Sequence, residues 1–121
     1  MKKIAIPVSN GKLSEYLEKC DYLQIFNIGS ENSLSEKIEK PVCTDITKLP
    51  EWAAGEGITD VIAFKTDKRI ICLFALFRIN LFVGIPPETP LALLKDYING
   101  KLMSDERIIN EIMEDESRGD L

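Results

Sequence analysis

The 121-residue sequence contains no histidine. Histidine is the usual base of nucleophilic triads, a common metal ligand and the side chain that titrates near neutral pH. Its absence excludes Ser-His-Asp and Cys-His catalysis, histidine-containing metal sites and a histidine pH switch. No other acid–base constellation stands out, and we expect a protein that is not an enzyme.

Cysteines are few, and long apolar runs are missing. The three cysteines lie far apart in the chain, so we expect thiols rather than disulfides. No apolar stretch approaches the roughly 20 residues of a membrane span. The apolar strand after Lys2 and Lys3 is broken by Pro7 and is too short for the core of a signal peptide. We therefore expect a cytoplasmic protein with no membrane partner.

Acidic residues outnumber basic ones, and the net charge is −5. The excess lies entirely from Ser104 onward, whereas the acids and bases of the preceding residues balance. Nucleic-acid binding needs a basic patch, which neither part of the chain offers. The charge pattern therefore predicts a neutral body, an acidic C-terminal tail and no nucleic-acid partner.

The segment from Asp60 to Gly84 is the centre of the predicted fold, because its two short apolar strands are joined by a helix. Such a right-handed crossover makes the two strands parallel neighbours in one sheet. Five strands are predicted in all, over 3–8, 22–28, 34–40, 60–64 and 80–83. Helices are predicted between Thr47 and Gly55, over 70–78, between Thr89 and Gly100, and over 104–116 with Ser104 as the cap. This order predicts an α/β domain with a mixed sheet, helices on its faces and one added C-terminal helix.

The helix predicted over 70–78 is apolar on more than one face. Ile70, Leu73, Phe74 and Phe77 are expected to face the sheet. The remaining apolar residues, which a solvated helix would replace by charged ones, are Ile71, Cys72, Ala75 and Leu76. We expect either residues 104–116 or another molecule, as a homodimer or a partner protein, to cover them. In the next helix, Leu91, Leu94 and Ile98 are predicted to face the sheet.

Two turns are candidate binding sites. Asn10 and Gly11 suit positive φ angles, and they form either a plain turn or a phosphate loop. Lys65, Thr66 and Arg69 follow a strand and precede a helix, which is the ligand side of an open α/β sheet and favours anions. The alternative is a solvated turn in which Thr66 or Asp67 caps the helix.

The cysteines have two readings. Cys20 and Cys43 fall in loops and form a soft pair of ligands for iron or an iron–sulfur cluster if the fold brings them together. Otherwise they are small apolar residues, which is also the reading for Cys72 in its helix.

Three segments, taken together, resemble the dinitrogenase iron-molybdenum cofactor biosynthesis family, which includes carriers of the nitrogenase cofactor. They are KIAIPVSNGKLSEYLEKCDYLQIFNI (3–28), LPEWAAGEGITDVIAF (49–64) and LALLKDYINGKL (91–102). The resemblance implies a ribonuclease-H-like domain with a five-stranded mixed sheet over residues 1–102. Residues 103–121 then form an added helix and acidic tail. It also implies a small carrier of an iron–sulfur or iron–molybdenum type cluster, with a link to nitrogen fixation.

The chain departs from the family at its ligand positions. Relatives that handle a cluster carry a pattern like L-S-x-H-F-G-x-[AC], and here Tyr16 replaces the histidine and Glu18 the glycine, while Cys20 matches. The turn over 65–69 is charged where the family tends to have glycine. The candidate site residues are Asn10, Gly11, Tyr16, Lys19, Cys20, Cys43, Lys65, Thr66 and Arg69, with Cys20 and Cys43 as the metal ligands.

Three hypotheses about function remain open. The first is a non-catalytic binding or carrier domain that lacks the usual histidine ligand. The second is an interaction or self-association module that uses the apolar back of helix 70–78 and the acidic C-terminal helix. The third is an anion-binding or small-molecule-binding domain that uses the turn over 65–69.

Overall fold

The computed structural model describes residues 2–29, 34–39 and 46–119. The strands are β1 (Lys2–Ser9), β2 (Lys12–Leu13), β3 (Tyr22–Ile28), β4 (Leu34–Glu39), β5 (Asp60–Ile62) and β6 (Asn80–Phe82). The helices are α1 (Leu49–Gly55), α2 (Lys68–Leu76), α3 (Pro90–Ile98) and α4 (Glu106–Gly119). Short 3₁₀ turns cover Leu17–Lys19 and Ile46–Lys48. No helix in the described part of the chain is both long and apolar enough to cross a membrane.

Five of the strands form one open mixed sheet in the order β4-β3-β1-β5-β6. β3 is antiparallel to β1 and to β4, whereas β1, β5 and β6 run parallel to one another. The predicted mixed α/β sheet and its parallel crossover strands are therefore confirmed. The ribonuclease-H-like topology stays a prediction.

The short strand β2 pairs with the end of β1 and was not predicted. Asn10 and Gly11 connect the two with φ angles of 55° and 79°. Two consecutive positive φ angles suit a two-residue hairpin turn, and an Asn-Gly pair adopts them readily. The predicted turn is therefore correct, but the residues after it extend the sheet.

Apolar side chains cover both faces of the sheet, as the sequence predicts. Alternation along β1 places Ala5 on one face and Ile4, Ile6 and Val8 on the other. On the Ala5 face, the core includes Ile70 and Phe74 of α2 together with residues of α1. On the opposite face, Leu93 and Leu94 of α3 pack against β1 and β5.

The prediction for the inner face of α3 is wrong at two of its three positions. Leu91 is 66% exposed and Ile98 is 57% exposed, whereas Leu93 and Leu94 are buried. The helix is apolar around much of its circumference, so that two different faces fit the spacing of an amphipathic helix. Tyr97 distinguishes them, because its ring packs edge-on against Phe82 of β6 and its hydroxyl reaches Asp60.

Asp60 is the buried carboxylate of the sheet and is only 2% exposed. Its oxygens accept hydrogen bonds from the Thr59 hydroxyl at 2.7 Å, the Asn80 amide at 3.1 Å and the Tyr97 hydroxyl at 3.0 Å. Burial of a carboxylate is costly unless it is hydrogen-bonded. The network therefore offsets the cost of burying the Asp60 carboxylate. It also links α3 to the amino-terminal ends of β5 and β6.

The start of α4 is attached to the end of β6. The Ser104 hydroxyl accepts a hydrogen bond from the Val83 amide at 3.0 Å, and the Asp105 amide donates to the Val83 carbonyl at 2.8 Å. The Ser104 side chain therefore bonds the backbone directly after β6 and not the amino terminus of α4. The prediction that Ser104 caps the helix is wrong. The Asp105 carboxylate instead accepts a hydrogen bond from the Arg107 amide. Hydrogen bonds from Arg107 lower the pKa of the Asp105 carboxyl.

Gly84 lies next to the contact between Val83 and residues 104 and 105. Its φ angle is +83°, and a Cβ atom at this position would lie 2.6 Å from the Asp105 Cβ. A side chain is therefore excluded both by the backbone conformation and by the approach of the α4 segment. The glycine allows residues 104 and 105 to lie against the backbone that follows β6.

Replacing Tyr97 by phenylalanine should lower the free energy of unfolding at pH 7 by about 1–2 kcal/mol, because Asp60 loses a donor. Burial, followed by the Asp60 hydrogen bond and charge, raises the pKa of Tyr97 from 10.0 to about 12. A raised pKa in the folded state stabilises the protein below pH 10, and this contribution is lost between pH 10 and 12.

The measurement is urea unfolding of both proteins across this pH range. The difference in stability between wild type and Y97F should shrink as pH rises above 10. Tyr22→Phe serves as a matched control, since Tyr22 is a half-buried tyrosine of β3. A difference that stays constant from pH 7 to 12 would contradict the role of the Tyr97 hydroxyl.

Candidate functional site

The parallel strands β1, β5 and β6 end at the same edge of the sheet. Asn10 follows β1, Lys65 and Thr66 come shortly after β5, and Gly84 comes shortly after β6. In open α/β sheets, ligands bind in the crevice outside the carboxyl ends of the strands. Two of the candidate turns predicted from the sequence therefore lie at the edge where this architecture places ligand sites.

The loop over residues 14–17 is fastened to the chain beyond β5 by two backbone hydrogen bonds. The Lys65 amide donates to the Glu15 carbonyl at 3.0 Å, and the Leu17 amide donates to the Lys65 carbonyl at 3.1 Å. Together they make a parallel bridge between Tyr16 and Lys65. Leu17 is buried in the core beneath α1 and α2, so that the loop is held by packing as well as by hydrogen bonds.

Two lysine ammonium groups lie close to the Tyr16 ring. Lys19 Nζ is 5.0 Å from the centroid of the Tyr16 ring, and Lys65 Nζ is 5.9 Å from it. Lys65 Nζ also lies 5.1 Å from the centroid of the Phe64 ring. Cations within about 6 Å of an aromatic face are attracted by its quadrupole. These contacts favour the position of the two ammonium groups beside Tyr16.

Two surface cavities meet at Tyr16. The first has a volume of about 350 Å³, and its lining residues are Ser9, Asn10, Leu13, Ser14, Glu15, Tyr16 and Lys19. The second has a volume of about 230 Å³, and its lining residues are Tyr16, Lys65, Thr66, Ile108, Glu111 and Ile112. The candidate site is therefore a pair of neighbouring cavities, with α4 forming one wall of the second.

Asp67, in the turn that precedes α2, caps this helix. The Asp67 carboxylate accepts a hydrogen bond from the Ile70 amide at 2.9 Å, so the alternative in which Asp67 caps the helix is confirmed. Thr66 is only 7% exposed, and its hydroxyl has no hydrogen-bond partner among the described residues. Buried polar atoms are rarely left in this state.

Neither Cys20 nor Cys72 lines either cavity. Cys20 is half-buried and packs against the core beneath α1 and α2. Cys72 is exposed on α2, and Cys43 lies outside the described residues. Among the residues that the structure describes, no three His, Cys, Asp or Glu side chains are grouped so that they could hold a metal ion. The proposed ligation by Cys20 and Cys43 stays a prediction.

The structure brings together five of the nine candidate site residues, namely Asn10, Tyr16, Lys19, Lys65 and Thr66. Gly11 lies in the turn beside Asn10, and Arg69 is exposed in the first turn of α2 without lining either cavity. The sequence reasoning missed the contribution of α4. From the sequence, that helix was considered as a cover for the back of α2, which it contacts, and not as part of the lining of a cavity.

The back of α2 remains uncovered in part. Leu76 is 73% exposed, and Cys72 and Ala75 are also exposed, whereas Ile71 is half-buried. α4 contacts α2 but leaves these three residues accessible. Phe77, which was predicted to face the sheet, directly follows the last residue of the helix and is 37% exposed.

No family model and no curated protein matches the chain. Several solved structures do. PH0822 has a TM-score of 0.73 and 21% identity, over 85% of this chain and 96% of that protein. The "putative dinitrogenase" MJ0327 from Methanocaldococcus jannaschii has a TM-score of 0.67 and 20% identity, over 85% and 93%. The apo form of the orange protein from Desulfovibrio gigas has a TM-score of 0.67 and 9% identity, over 87% and 93%.

This chain shares the fold of these proteins. A "putative NifB protein" from Thermotoga, TM1290, matches in the same way, with a TM-score of 0.63 and 16% identity over 86% of this chain and 93% of that one. The name of MJ0327 mentions dinitrogenase, and that of TM1290 mentions NifB. At these identities the likeness establishes the fold alone.

Proposed function

We propose that the chain is a small, non-catalytic binding domain of the carrier type, related to the proteins of nitrogenase cofactor biosynthesis. It holds its ligand at the carboxyl edge of β1 and β5, without the histidine that its relatives use. The observation that carries the proposal is the pair of cavities that meet at Tyr16. They lie on the loop that corresponds to the family's ligand-binding pattern.

The rigidity of the loop supports a preformed site. The backbone bridge to Lys65 and the burial of Leu17 fix the position of Tyr16. A binding site that is already ordered loses less conformational entropy when a ligand arrives. The absence of histidine from the sequence favours binding over acid–base catalysis.

The match extends over nearly the whole length of the neighbours, which also supports a small carrier-type domain. The chain covers 93% of MJ0327 and 93% of TM1290. The proposal carries the connection with dinitrogenase and NifB in those names over to this chain. α4 is then an addition to a shared scaffold.

The location of the site is tested by nuclear magnetic resonance of the ¹⁵N-labelled full chain with mixtures of low-mass compounds. We expect shifted amide signals to cluster at residues 9–19 and 64–66, because small molecules collect in preformed concave sites. Tyr16→Ala should weaken these responses, and Tyr22→Phe should not. Shifts confined to the exposed apolar residues of α2, or no shifts at all, would contradict the proposal.

Anaerobic incubation with ferrous iron and sulfide then identifies the class of cargo. If the cargo is an iron–sulfur cluster held by Cys20, the full chain gains visible absorbance that Cys20→Ala removes, while Cys72→Ala retains it. A colourless wild-type protein would exclude the cluster as cargo and would leave a small molecule as the ligand.

The second candidate function is an interaction module, which the exposure of Leu76 favours. A side chain of this size beside exposed Cys72 and Ala75 adds apolar area that a partner or a second copy of the chain can bury. The neighbouring helix α4, which contacts α2, is rich in acidic residues.

Light scattering tests this alternative, which predicts a dimer that Leu76→Ser dissociates. Leu91→Ser is the matched control, because Leu91 is 66% exposed on α3 at the other face of the sheet. The control variant should retain the mass of the wild type. A monomeric wild-type protein would contradict self-association through α2.

A further inference from the structure

α4 supplies half of the lining of the second cavity. Ile108, Glu111 and Ile112 lie one turn apart on this helix, on the face that lines the cavity together with Tyr16, Lys65 and Thr66. The sequence resemblance ends before α4, at residue 102. The second cavity is therefore built partly from a segment outside the family-like region.

The wall that α4 provides has a fixed position. Ser104 and Asp105, which directly precede the helix, are hydrogen-bonded to the amide and the carbonyl of Val83. Gly84 allows this close approach, since any larger residue would collide with Asp105. The cavity is thus bounded by two elements that are each anchored to the sheet.

The sheet side of the cavity is polar. Lys65 is about one-third exposed and its nearest carboxylate, from Glu15, is 3.7 Å away, a distance at which the ion pair is weak. Thr66 contributes the buried hydroxyl that has no partner among the described residues. The hydroxyl oxygen is inaccessible in this rotamer, so a ligand bonds it only after rotation about the Cα–Cβ bond. An ammonium group and a hydroxyl that a rotation can redirect favour an anionic group.

The α4 side of the cavity is apolar at Ile108 and Ile112, which are both half-buried. Isoleucine side chains contribute to binding by removing apolar ligand surface from water. A ligand that satisfies both sides must carry an anionic group at one end and an apolar group at the other.

We propose that the cavity between α4 and the carboxyl end of β5 binds a small amphipathic anion. Its anionic group lies at Lys65 and Thr66, and its apolar part lies against Ile108 and Ile112. The inference rests on the proposed binding function and adds the chemical class of the ligand. It also makes α4 a part of the site.

Glu111 distinguishes this ligand class from others. The residue is exposed on α4 and lines the same cavity. Its carboxylate repels a simple anion but attracts the ammonium group of a zwitterion or a cation. Neutralising Glu111 therefore strengthens the binding of an anion and weakens the binding of either alternative.

The test is a fluorescence titration of the full chain with anilinonaphthalene sulfonate, an aromatic anion of suitable size. Lys65→Gln should weaken binding about tenfold through loss of the charge. Thr66→Val should weaken it about fivefold, because it removes the hydroxyl and keeps the shape. Thr66→Ser should restore most of the affinity, and Glu111→Gln should raise it about twofold.

Two control variants locate the probe. Glu114→Gln removes a charge from an exposed position of α4 that is not part of the cavity lining, and it should leave the affinity unchanged. Leu76→Ser removes the most exposed leucine of α2 and should also have no effect. Thermal unfolding of each variant shows whether a loss of affinity comes from a loss of folding.

Equal affinity for the threonine, valine and serine forms at position 66 would overturn the inference, as would weaker binding by Glu111→Gln. Affinity that falls only in Leu76→Ser would place the probe on α2 and would also overturn it. If the compound mixtures shift residues 9–19 but the anion titration fails, the proposed binding function stands and only the ligand class is wrong. If both experiments fail, both proposals are wrong.

Discussion

The site depends on one backbone interaction, the bridge between Tyr16 and Lys65. Two hydrogen bonds, from Lys65 to Glu15 and from Leu17 to Lys65, join a loop that follows β1 to the segment that follows β5. The bridge brings Lys65 beside the Tyr16 ring and places Tyr16 in the lining of both cavities. Because backbone groups make the bridge, its two hydrogen bonds do not depend on which side chain stands at residue 16.

The two ends of the parallel strands have different roles. At the amino-terminal end, Asp60 is buried and surrounded by donors from Thr59, Asn80 and Tyr97, which makes this end a structural joint between the sheet and α3. At the carboxyl-terminal end, Lys65 is partly exposed and Thr66 retains a buried hydroxyl with no partner among the described residues. The polar groups at the amino-terminal end are therefore paired with one another, whereas at the carboxyl-terminal end one buried hydroxyl has no partner among the described residues.

The sequence predicted five of the six described strands, and most of these are short apolar runs bounded by turns. The parallel pair β5 and β6 and the start of α3 after Thr89 followed from local patterns. It failed where two solutions fit the same pattern, as on α3, where the hydrogen bond from Tyr97 to Asp60 selects the buried face. The docking of α4 depends on the approach of Asp105 to Gly84, between segments distant in the chain, and no local pattern encodes it. Half of the second cavity was therefore invisible in the sequence.

Hydrogen exchange at the amides of Leu17 and Lys65 tests the central claim most directly, because each amide is a donor in the bridge. Both lie in loops, where unbonded amides exchange rapidly. We predict that the two amides exchange as slowly as those of the central strands. Their protection from exchange should be lost only with global unfolding. Exchange of either amide at the rate of an unprotected peptide would show that the loop is not joined to β5, and it would contradict the site built on Tyr16.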